Sequence, residues 1–531
     1  MSSRQADFVV VGGGSAGCVL AARISEDPAA QVVLLEAGGP GDAEDIRIPA
    51  CSRNLFLSEY DWAFYSEPEP ALKGRRVYQP RGRALGGSSA TNMMVYMRGS
   101  AADYDEWAEL GNRGWDYASV LPYFKRSEDN ERGASHFHGS GGPLAVSDSR
   151  SRNALATAFV EAAIEAGLPA NHDFNGGRQE GAGFFQLTQR NGERCSAAAA
   201  YLDPVRGRPN LELMTNTRAL RIVLDRGRAI AVDVDAPDGR RTIAADREVI
   251  LAAGAFQSPQ LLMLSGIGPE AELRKQGIKV AHEMAEVGAN LHDHQGVLMS
   301  WETHEAVGLW NVINDANRER FDRERRGPMT SNYIEVGGFA HIDGSLQAEI
   351  EFHVMPGITY VDKTRRANRP GLTMFPTLLK PRARGRVGLQ SPDPLAPPRI
   401  ELGYYSDPLD LEKMLEGMRI AADIASRPAL ARHISGPHEA PVKTDRETLL
   451  EHIVAQTQTI YHAAGTCAMG GVVDADLRVR GIQGLRVVDA SVMPSPVRGN
   501  TNAPVIMVAE KAADMILDRR TASAKDSAIP A

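Results

Sequence analysis

Short apolar runs, glycine-rich turns and amphipathic stretches follow one another from the first residues of this chain. The apolar run at residues 8–11 leads into three consecutive glycines and then into small and apolar residues. This pattern predicts a strand, a tight turn and a helix. A second apolar run covers residues 31–35 and ends at Glu36, which predicts a second strand.

Further along the chain, strand and helix patterns occur in blocks. Residues 100–130 have apolar positions spaced for burial on a helix, and residues 505–517 return to a helical pattern. Residues 408–426 form a long amphipathic pattern, with Asp407 as a candidate N-cap and Pro408 at the first helical position. Asp238 and Gly239 predict a hairpin turn. Further strands are predicted at 210–215, 219–224, 229–234, 247–251, 348–354, 386–389 and 485–488.

This arrangement predicts an α/β protein of two interleaved domains, because strand-to-glycine elements recur near 250 and 487 with a long β-rich insertion between them. We expect a discontinuous, Rossmann-like dinucleotide-binding domain at 1–150, 191–295 and 450–518. An inserted substrate-binding domain at 151–190 and 296–449 is expected to contain an antiparallel β-sheet flanked by helices. Residues 519–531 are small and polar and are predicted to form a flexible tail.

The composition excludes several classes of protein. With 43% hydrophobic and 24% charged residues, the chain is typical of globular proteins rather than disordered, collagen-like or coiled-coil ones. Acidic residues (67) outnumber basic ones (59) and no basic stripe is visible, so no nucleic-acid partner is expected. Four scattered cysteines without a CxxC motif exclude a disulfide scaffold or zinc ribbon and favour a reducing compartment.

No targeting or membrane-spanning segment is predicted. The N-terminus lacks the charged region followed by an apolar region that defines a signal peptide. The most apolar long stretch, residues 249–268, is interrupted by glycine, proline and polar residues. We therefore expect a cytoplasmic protein, with peripheral attachment to a membrane left open, and the pattern predicts no particular oligomeric state.

The first glycine turn has the spacing of a dinucleotide-binding fingerprint. Gly12 permits the tight turn, Gly14 lets the backbone approach a pyrophosphate, and Gly17 lets the helix pack closely on the strand. The N-terminus of that helix offers free amides and the positive end of its dipole to the phosphates. Glu36 follows about 20 residues later, where an acid meets a ribose hydroxyl, which favours FAD or NAD over NADP.

Five further stretches resemble the glucose–methanol–choline family of flavin oxidoreductases and, with the fingerprint, span nearly the whole chain. They are residues 82–92 (continuing to Tyr96, Arg98 and Gly99), 254–268, 462–470, 487–491 and 500–504. Five motifs in the family's order are far more specific than any one of them. Within the family the chain is most similar to bacterial choline dehydrogenases and alkanol dehydrogenases, and less so to aryl-alcohol and hydroxymethylfurfural oxidases.

The resemblance implies an FAD cofactor. The residues that it places against FAD are Gly12, Gly14, Ser15, Ala16, Gly17, Glu36, Ala37, Arg83, Gly86, Gly87, Ser88, Asn92, Met93, Met94, Val95, Leu220, Ala253, Gly254, Asp489, Ala490, Asn502 and Ala503. Some members carry a histidine just before the asparagine of the first stretch that bonds covalently to the flavin. Here that position is Thr91, so we expect FAD to be held without a covalent link.

The resemblance also maps a catalytic pair onto His462 and Asn500. Alcohol oxidation requires a group that takes the hydroxyl proton, a donor that holds the resulting alkoxide and an acceptor for the hydride. Histidine titrates near neutral pH and suits the first role, whereas an asparagine amide suits the second and cannot act as a base. We therefore expect oxidation of a primary alcohol to the aldehyde, with hydride transfer to flavin N5 and electrons passed to oxygen, a quinone or another acceptor.

Other polar residues have more than one interpretation. Pro504 is predicted at the start of the last helix, whose N-terminus would stabilise negative charge on the reduced flavin. Arg81 and Arg83 suit either a phosphate or surface carboxylates. His292 and His294 have the HxH spacing of metal ligands, but no third ligand is evident, so a domain-junction contact is favoured and no metal is predicted.

Two other functions are compatible with these motifs. Some plant relatives use this fold as lyases without net redox chemistry, and a non-catalytic flavin-binding protein is the third hypothesis. The identity of the alcohol stays open, because a choline substrate would require an aromatic or acidic cage for its ammonium group and the sequence places none.

Overall fold

The computed structural model describes residues 4–304, 308–342 and 344–518, which form two large β-sheets with helices packed against them. The α-helices cover Ser15–Ile24, Glu44–Arg47, Ala101–Glu109, Tyr117–Ser127, Ala154–Glu165, Gly254–Leu264, Glu270–Lys275, Asp315–Glu324, Pro408–Ser426, Pro428–Ala431, Arg446–Gln456 and Asn502–Ile516. Short 3-10 turns cover Pro49–Leu55, Pro70–Leu72, Gly87–Ala90, Asp203–Val205, Pro328–Thr330 and Ala490–Val492, and a π turn covers Ala198–Leu202. In the part of the chain described, no helix is long and apolar enough to cross a bilayer.

A seven-stranded sheet joins strands from both ends of the chain. In spatial order it contains Leu211–Met214, Val32–Leu35, Arg4–Val11, Gly239–Leu251, Arg228–Ala236 and Arg218–Asp225, with Leu485–Val487 also pairing with Gly239–Leu251. The strands from Leu211–Met214 to Gly239–Leu251 and Leu485–Val487 are parallel, and the remaining hairpin is antiparallel. The carboxyl ends of the parallel strands therefore share one edge, where dinucleotides bind in such sheets.

At the turn after the first strand, the backbone segments pack so closely that only glycine fits. Gly12 has φ of +104°, and a Cβ atom on Gly17 would lie 1.8 Å from the Gly12 carbonyl oxygen. Helix Ser15–Ile24 buries Cys18, Val19 and most of its other residues against the sheet and against helix Asn502–Ile516. The predicted strand–turn–helix unit thus has the packing that its glycines indicate.

The second large sheet has eight strands and is antiparallel. In order it contains Ile434–Pro437, Met299–Thr303, Gly371–Leu378, Ile350–Met355, Val336–Ala340 and Gly181–Phe184, with Gln295–Val297 pairing with both Gly371–Leu378 and Thr457–Thr459. Helices Ala154–Glu165 and Pro408–Ser426 share a hydrophobic core with it. Smaller ladders contain Phe64–Tyr65, Tyr78–Gln79, Glu128–Asn130, Leu144–Asp148, Gln186–Leu187, Gln189–Arg190, Glu193–Arg194, Ile267–Gly268, His282–Glu283, Arg386–Leu389 and Pro398–Glu401.

The predicted fold class is confirmed: a Rossmann-like parallel sheet and an antiparallel sheet flanked by helices occur in one chain. The predicted domain boundaries stay a prediction, because strand pairing does not show at which residue one domain ends and the other begins. Strand Thr457–Thr459 falls in the segment predicted for the dinucleotide domain, yet it pairs within the eight-stranded sheet. The predicted tail, 519–531, lies outside the described residues.

Several predicted elements differ from the structure in extent. The predicted helical segment 100–130 is two helices, because Gly111 and Gly114 adopt positive φ between them, and its last residues form a strand. The last helix begins at Asn502, so Pro504 is its third residue rather than its first. Proline is tolerated there because the amides of the first turn have no intrahelical partner. The predicted helix at 408–426 is confirmed, and the Asp407 carboxylate accepts from the Leu409 amide as its cap.

Candidate active site

A cavity of about 330 Å³ is lined by residues from both large sheets. The predicted cofactor and catalytic residues on its wall are Gly12, Gly14, Ser15, Ala16, Glu36, Ala37, Gly87, Ser88, Asn92, Met93, Met94, Val95, Ala253, Gly254, His462, Asp489, Ala490, Asn500 and Asn502. Residues far apart in sequence therefore meet at one site, with the size usual for a small-molecule pocket.

Five predicted residues do not line the cavity. Gly17 packs its helix on the glycine turn, and Gly86 donates from its backbone N–H to the Gly13 carbonyl at 2.7 Å. The Arg83 guanidinium lies 5.1 Å from the Trp62 ring centroid. Leu220 and Ala503 are buried beside residues that do face the cavity.

Two glycine-rich loops contact each other and form a cradle at one end of the cavity. A Cβ atom on Gly87 would lie 2.6 Å from the Gly14 Cα, so the two backbones touch at a distance that only glycine allows. Gly14 is the N-cap of helix Ser15–Ile24 and makes no side-chain cap. The first amides of that helix are therefore available to an anionic ligand at the cradle.

Glu36 follows strand Val32–Leu35 at the same end. Its carboxylate is buried and accepts from the Gly13 amide at 2.8 Å and the Gly38 amide at 2.7 Å. Burial raises the pKa of Glu36 to about 7, and the backbone hydrogen bonds oppose that rise. A carboxylate held in this way keeps acceptor capacity for a ligand hydroxyl.

The last helix brings a second uncapped N-terminus to the cavity. Thr501 makes no side-chain cap, and Asn502 lines the wall. The Ser15 hydroxyl donates to Asn502 Oδ1 at 2.8 Å, which ties the two helix starts together. Asp489, opposite, accepts from the Gly254 amide at 2.9 Å and the Ser258 hydroxyl at 2.6 Å. The glycine cradle, two free helix N-termini and the Glu36 carboxylate fit a dinucleotide with a pyrophosphate.

His462 is buried and held on three sides. Its Nε2 lies 3.2 Å from Asn500 Nδ2, its Nδ1 lies 2.9 Å from His294 Nδ1, and its backbone N–H donates to Asp293 Oδ1 at 2.9 Å. Because the Asn500 amide nitrogen can only donate, Nε2 is the acceptor and Nδ1 carries the proton in this arrangement. Burial lowers the pKa of His462 well below 6.5, and the positive charge of Arg81 lowers it further. A neutral ring with an acceptor Nε2 is the state that a general base requires.

The HxH segment supports His462 directly. Residues His292 and Ala464 exchange two backbone hydrogen bonds, at 3.1 and 2.9 Å, which aligns the two segments side by side. Burial lowers the pKa of His294 to about 4, so His294 is neutral where it contacts His462. In the described part of the chain, no group of three or more His, Cys, Asp or Glu side chains is arranged for a metal ion. For this segment the sequence predicted a contact at the domain junction, but it did not predict that His294 contacts His462.

Strand Ile350–Met355 adds a buried acid–histidine pair that sequence reasoning missed. His353 lines the cavity, and its Nε2 lies 3.3 Å from Glu351 Oε1. Burial lowers the pKa of His353 to about 3 and raises that of Glu351 to about 8, so both side chains are neutral at neutral pH. Glu351 and His353 are separated by one residue in an apolar strand, so their side chains lie on the same face of the sheet. That spacing is the sequence signal that could have identified the pair.

Family models of the GMC oxidoreductases match this chain at residues 6–296 and 381–509. The chain therefore belongs to the GMC oxidoreductase family. It is 40% identical to an alcohol dehydrogenase [acceptor] from Pseudomonas putida, over 98% of each chain. It is 41% identical to an oxygen-dependent choline dehydrogenase from Sinorhizobium medicae, over 97% of this chain and 96% of that one.

Solved structures of flavoenzymes are also similar to this chain. The crystal structure of pyridoxine 4-oxidase from Mesorbium loti superposes with a TM-score of 0.89 at 32% identity, covering 96% of this chain and 98% of that chain. Formate oxidase from Aspergillus oryzae gives a TM-score of 0.92 at 28% identity, covering 98% and 99%. The predictions of an FAD cofactor and of a flavin-dependent alcohol oxidoreductase of this family are confirmed.

Proposed function

We propose that the protein oxidises a primary alcohol to the aldehyde, with His462 taking the hydroxyl proton and Asn500 holding the substrate oxygen. The observation that carries this proposal is the 3.2 Å contact between His462 and Asn500 on the wall of the cavity that also contains the glycine cradle. The names of the similar proteins, which include alcohol and choline dehydrogenases, are consistent with an alcohol substrate.

Bound FAD supplies the hydride acceptor for this reaction. The Asn500 amide donates to the substrate oxygen as negative charge develops, and neutral His462 accepts the hydroxyl proton at Nε2. The Nδ1 contact with His294 fixes the tautomer and the ring orientation, as a hydrogen-bonded second nitrogen does in other catalytic histidines.

We propose that the glycine cradle of Gly14 and Gly87 and the N-terminus of helix Ser15–Ile24 hold the FAD pyrophosphate, with Glu36 on the ribose. The N-terminus of helix Asn502–Ile516 would then stabilise negative charge on the flavin ring. Thr91 lines the cavity and offers no ring nitrogen, so FAD would be held at this position without a covalent link. The electrons then pass to oxygen, a quinone or another acceptor.

The experiment is steady-state oxidation of a panel of primary alcohols by wild-type holoenzyme and by His462→Ala, with oxygen and with an artificial acceptor. Removing a well-placed general base should lower kcat/KM by roughly 10²–10⁴-fold. His136→Ala, which changes an exposed histidine outside the cavity, is the matched control and should behave as wild type. Near wild-type oxidation by His462→Ala would contradict the assignment.

A further inference from the structure

Three of the five described cationic side chains that line the cavity lie close to one another and near Tyr461; the other two are Arg81 and Arg218. Arg53 comes from the 3-10 turn Pro49–Leu55, and Lys363 and Arg366 come from the segment after strand Ile350–Met355. Tyr461, which directly precedes His462, also lines this wall, and the Arg53 charge acts on its hydroxyl. We call Arg53, Lys363 and Arg366 the cationic wall.

In the part of the chain that the structure describes, no carboxylate pairs with the cationic wall, and the nearby charge of Asp362 only partly offsets the lowering of the Lys363 pKa. Within the described residues, none of its three members forms an ion pair, and Lys363 Nζ donates to the Tyr360 carbonyl at 2.7 Å. Arg366 Nη1 donates to the Lys363 carbonyl at 2.5 Å. The adjacent Asp362 is exposed and accepts from the Thr364 amide and hydroxyl.

Neighbouring arginines of the same segment show the contrast. Arg365 pairs with Glu439 at 3.1 Å, and Arg369 pairs with Glu302 at 2.6 Å, and neither arginine lines the cavity. Of these three arginines in the segment, Arg366 is the one that faces the cavity, and it is also the one without an ion pair to a carboxylate.

The other charged residues on the described cavity wall do not neutralise it, because Arg81 and Arg218 add positive charge and the two carboxylates have backbone partners. Among the described residues that line the cavity, the carboxylates are Glu36 and Asp489, and both accept from backbone amides of the glycine loops. Burial lowers the pKa of Lys363 to about 7, and the Arg53 charge lowers it further. An anion placed between these groups would relieve their mutual repulsion, whereas a quaternary ammonium group would increase it.

We propose that the substrate is an alcohol that carries an anionic group, a carboxylate or a phosphate, which the cationic wall binds while the hydroxyl lies at His462 and Asn500. This inference rests on the proposed function and names its substrate class. Arginine forms paired hydrogen bonds to both anions, and lysine adds a point charge. The site is therefore unsuited to choline, in contrast to the substrate named for one of the similar proteins.

The test compares kcat/KM of the holoenzyme for four alcohols of similar length: a hydroxyalkanoate, a hydroxyalkyl phosphate, an uncharged primary alcohol and choline. A charge-assisted hydrogen bond is worth about tenfold to hundredfold in affinity, so at least one anionic alcohol should exceed the uncharged one by about tenfold or more. The two anionic substrates distinguish carboxylate from phosphate. The preference should shrink as salt concentration rises.

Variants locate the effect on the cationic wall. In Arg366→Gln and in Arg53→Gln the ratio of kcat/KM for anionic over uncharged alcohol should fall about tenfold. Arg369→Gln removes a positive charge from the same segment outside the cavity and should leave that ratio as in wild type. An equal loss in the control would show a general charge effect and would overturn the inference.

Calorimetric titration with an alkanoate that lacks the hydroxyl provides a readout independent of turnover. Binding to wild-type holoenzyme should weaken about tenfold in Arg366→Gln. If alcohols are oxidised without preference for anionic ones, the inference is wrong and the proposed function stands. If no alcohol is oxidised, the proposed function fails. Separately, the inference is overturned if wild-type holoenzyme does not bind the alkanoate, or if Arg366→Gln binds it as tightly as wild type does.

Discussion

A single methyl group at Gly87 tests the placement of the cofactor phosphates. In Gly87→Ala the added Cβ would lie 2.6 Å from the Gly14 Cα, whereas ordinary van der Waals contact begins at 3.4 Å. The two loops must therefore separate by close to an ångström. Because Gly87 has φ of +50°, the variant also carries a left-handed backbone penalty of about 1–2 kcal/mol.

The loss of FAD affinity follows from the number of hydrogen bonds that the displaced loop gives up. A hydrogen bond to a charged group is worth about 1.5–3 kcal/mol, so losing one weakens FAD binding by roughly 10- to 100-fold. Gly277→Ala is the matched control, since Gly277 has φ of +69° and its Cβ would meet nothing within 4 Å. It carries the same type of backbone penalty without the contact.

The assay measures the flavin-to-protein ratio after ultrafiltration, the Kd for FAD added to the apoprotein, and the Tm of each variant. We expect Gly87→Ala to lose FAD while Gly277→Ala retains it, at similar Tm of the apoproteins. If Gly87→Ala binds FAD as tightly as Gly277→Ala does, the phosphates do not lie at this cradle.

Three further predictions concern ionisable groups at the site. Because burial holds the pKa of His462 well below 6.5, kcat/KM for an uncharged alcohol, which does not depend on the charge of Lys363, should be independent of pH from neutral down to 6.5 and fall only below it, as the ring is protonated; a decline with that substrate that begins above 6.5 would contradict this. Asn500→Asp places a carboxylate beside His462 and should shift that acid limb to higher pH, and an unshifted limb in the variant's pH profile would refute the contact. Burial raises the pKa of Glu351 from 4.5 to about 8, so the folded state loses stability as pH rises from 4.5 to 8, by about 1.4 kcal/mol per pH unit. Glu351→Gln should therefore stabilise the protein on the order of 3 kcal/mol near neutral pH and less near pH ~5, as measured by urea unfolding; an advantage independent of pH would be the contrary result.

Local patterns were sufficient to predict the first strand–turn–helix–strand unit. The glycines of the first turn and Glu36 lie within one strand–helix–strand segment, so their spacing in sequence is nearly their spacing in the structure. The helix at 408–426 was equally predictable, because its cap and its apolar face are both local.

Long-range pairing explains what the sequence could not provide. His353 meets Asn500 and His462 because strand Ile350–Met355 pairs in the middle of the eight-stranded sheet, and no local pattern specifies that pairing. The contact of His294 with His462 likewise depends on the alignment of two segments 168 residues apart. The cationic wall combines a 3-10 turn near the N-terminus with a loop more than 300 residues later, so its charge became visible only in the folded chain.

Anaerobic mixing of the holoenzyme with a primary alcohol tests the central claim most directly. The flavin absorbance is followed in time, with the ordinary alcohol and with the same alcohol deuterated at the carbinol carbon. Hydride transfer from that carbon predicts bleaching of the oxidised flavin in a single turnover, slower with the deuterated alcohol and much slower in His462→Ala. Conversion of the alcohol with an unchanged flavin spectrum would contradict the redox mechanism and favour lyase chemistry on the same fold.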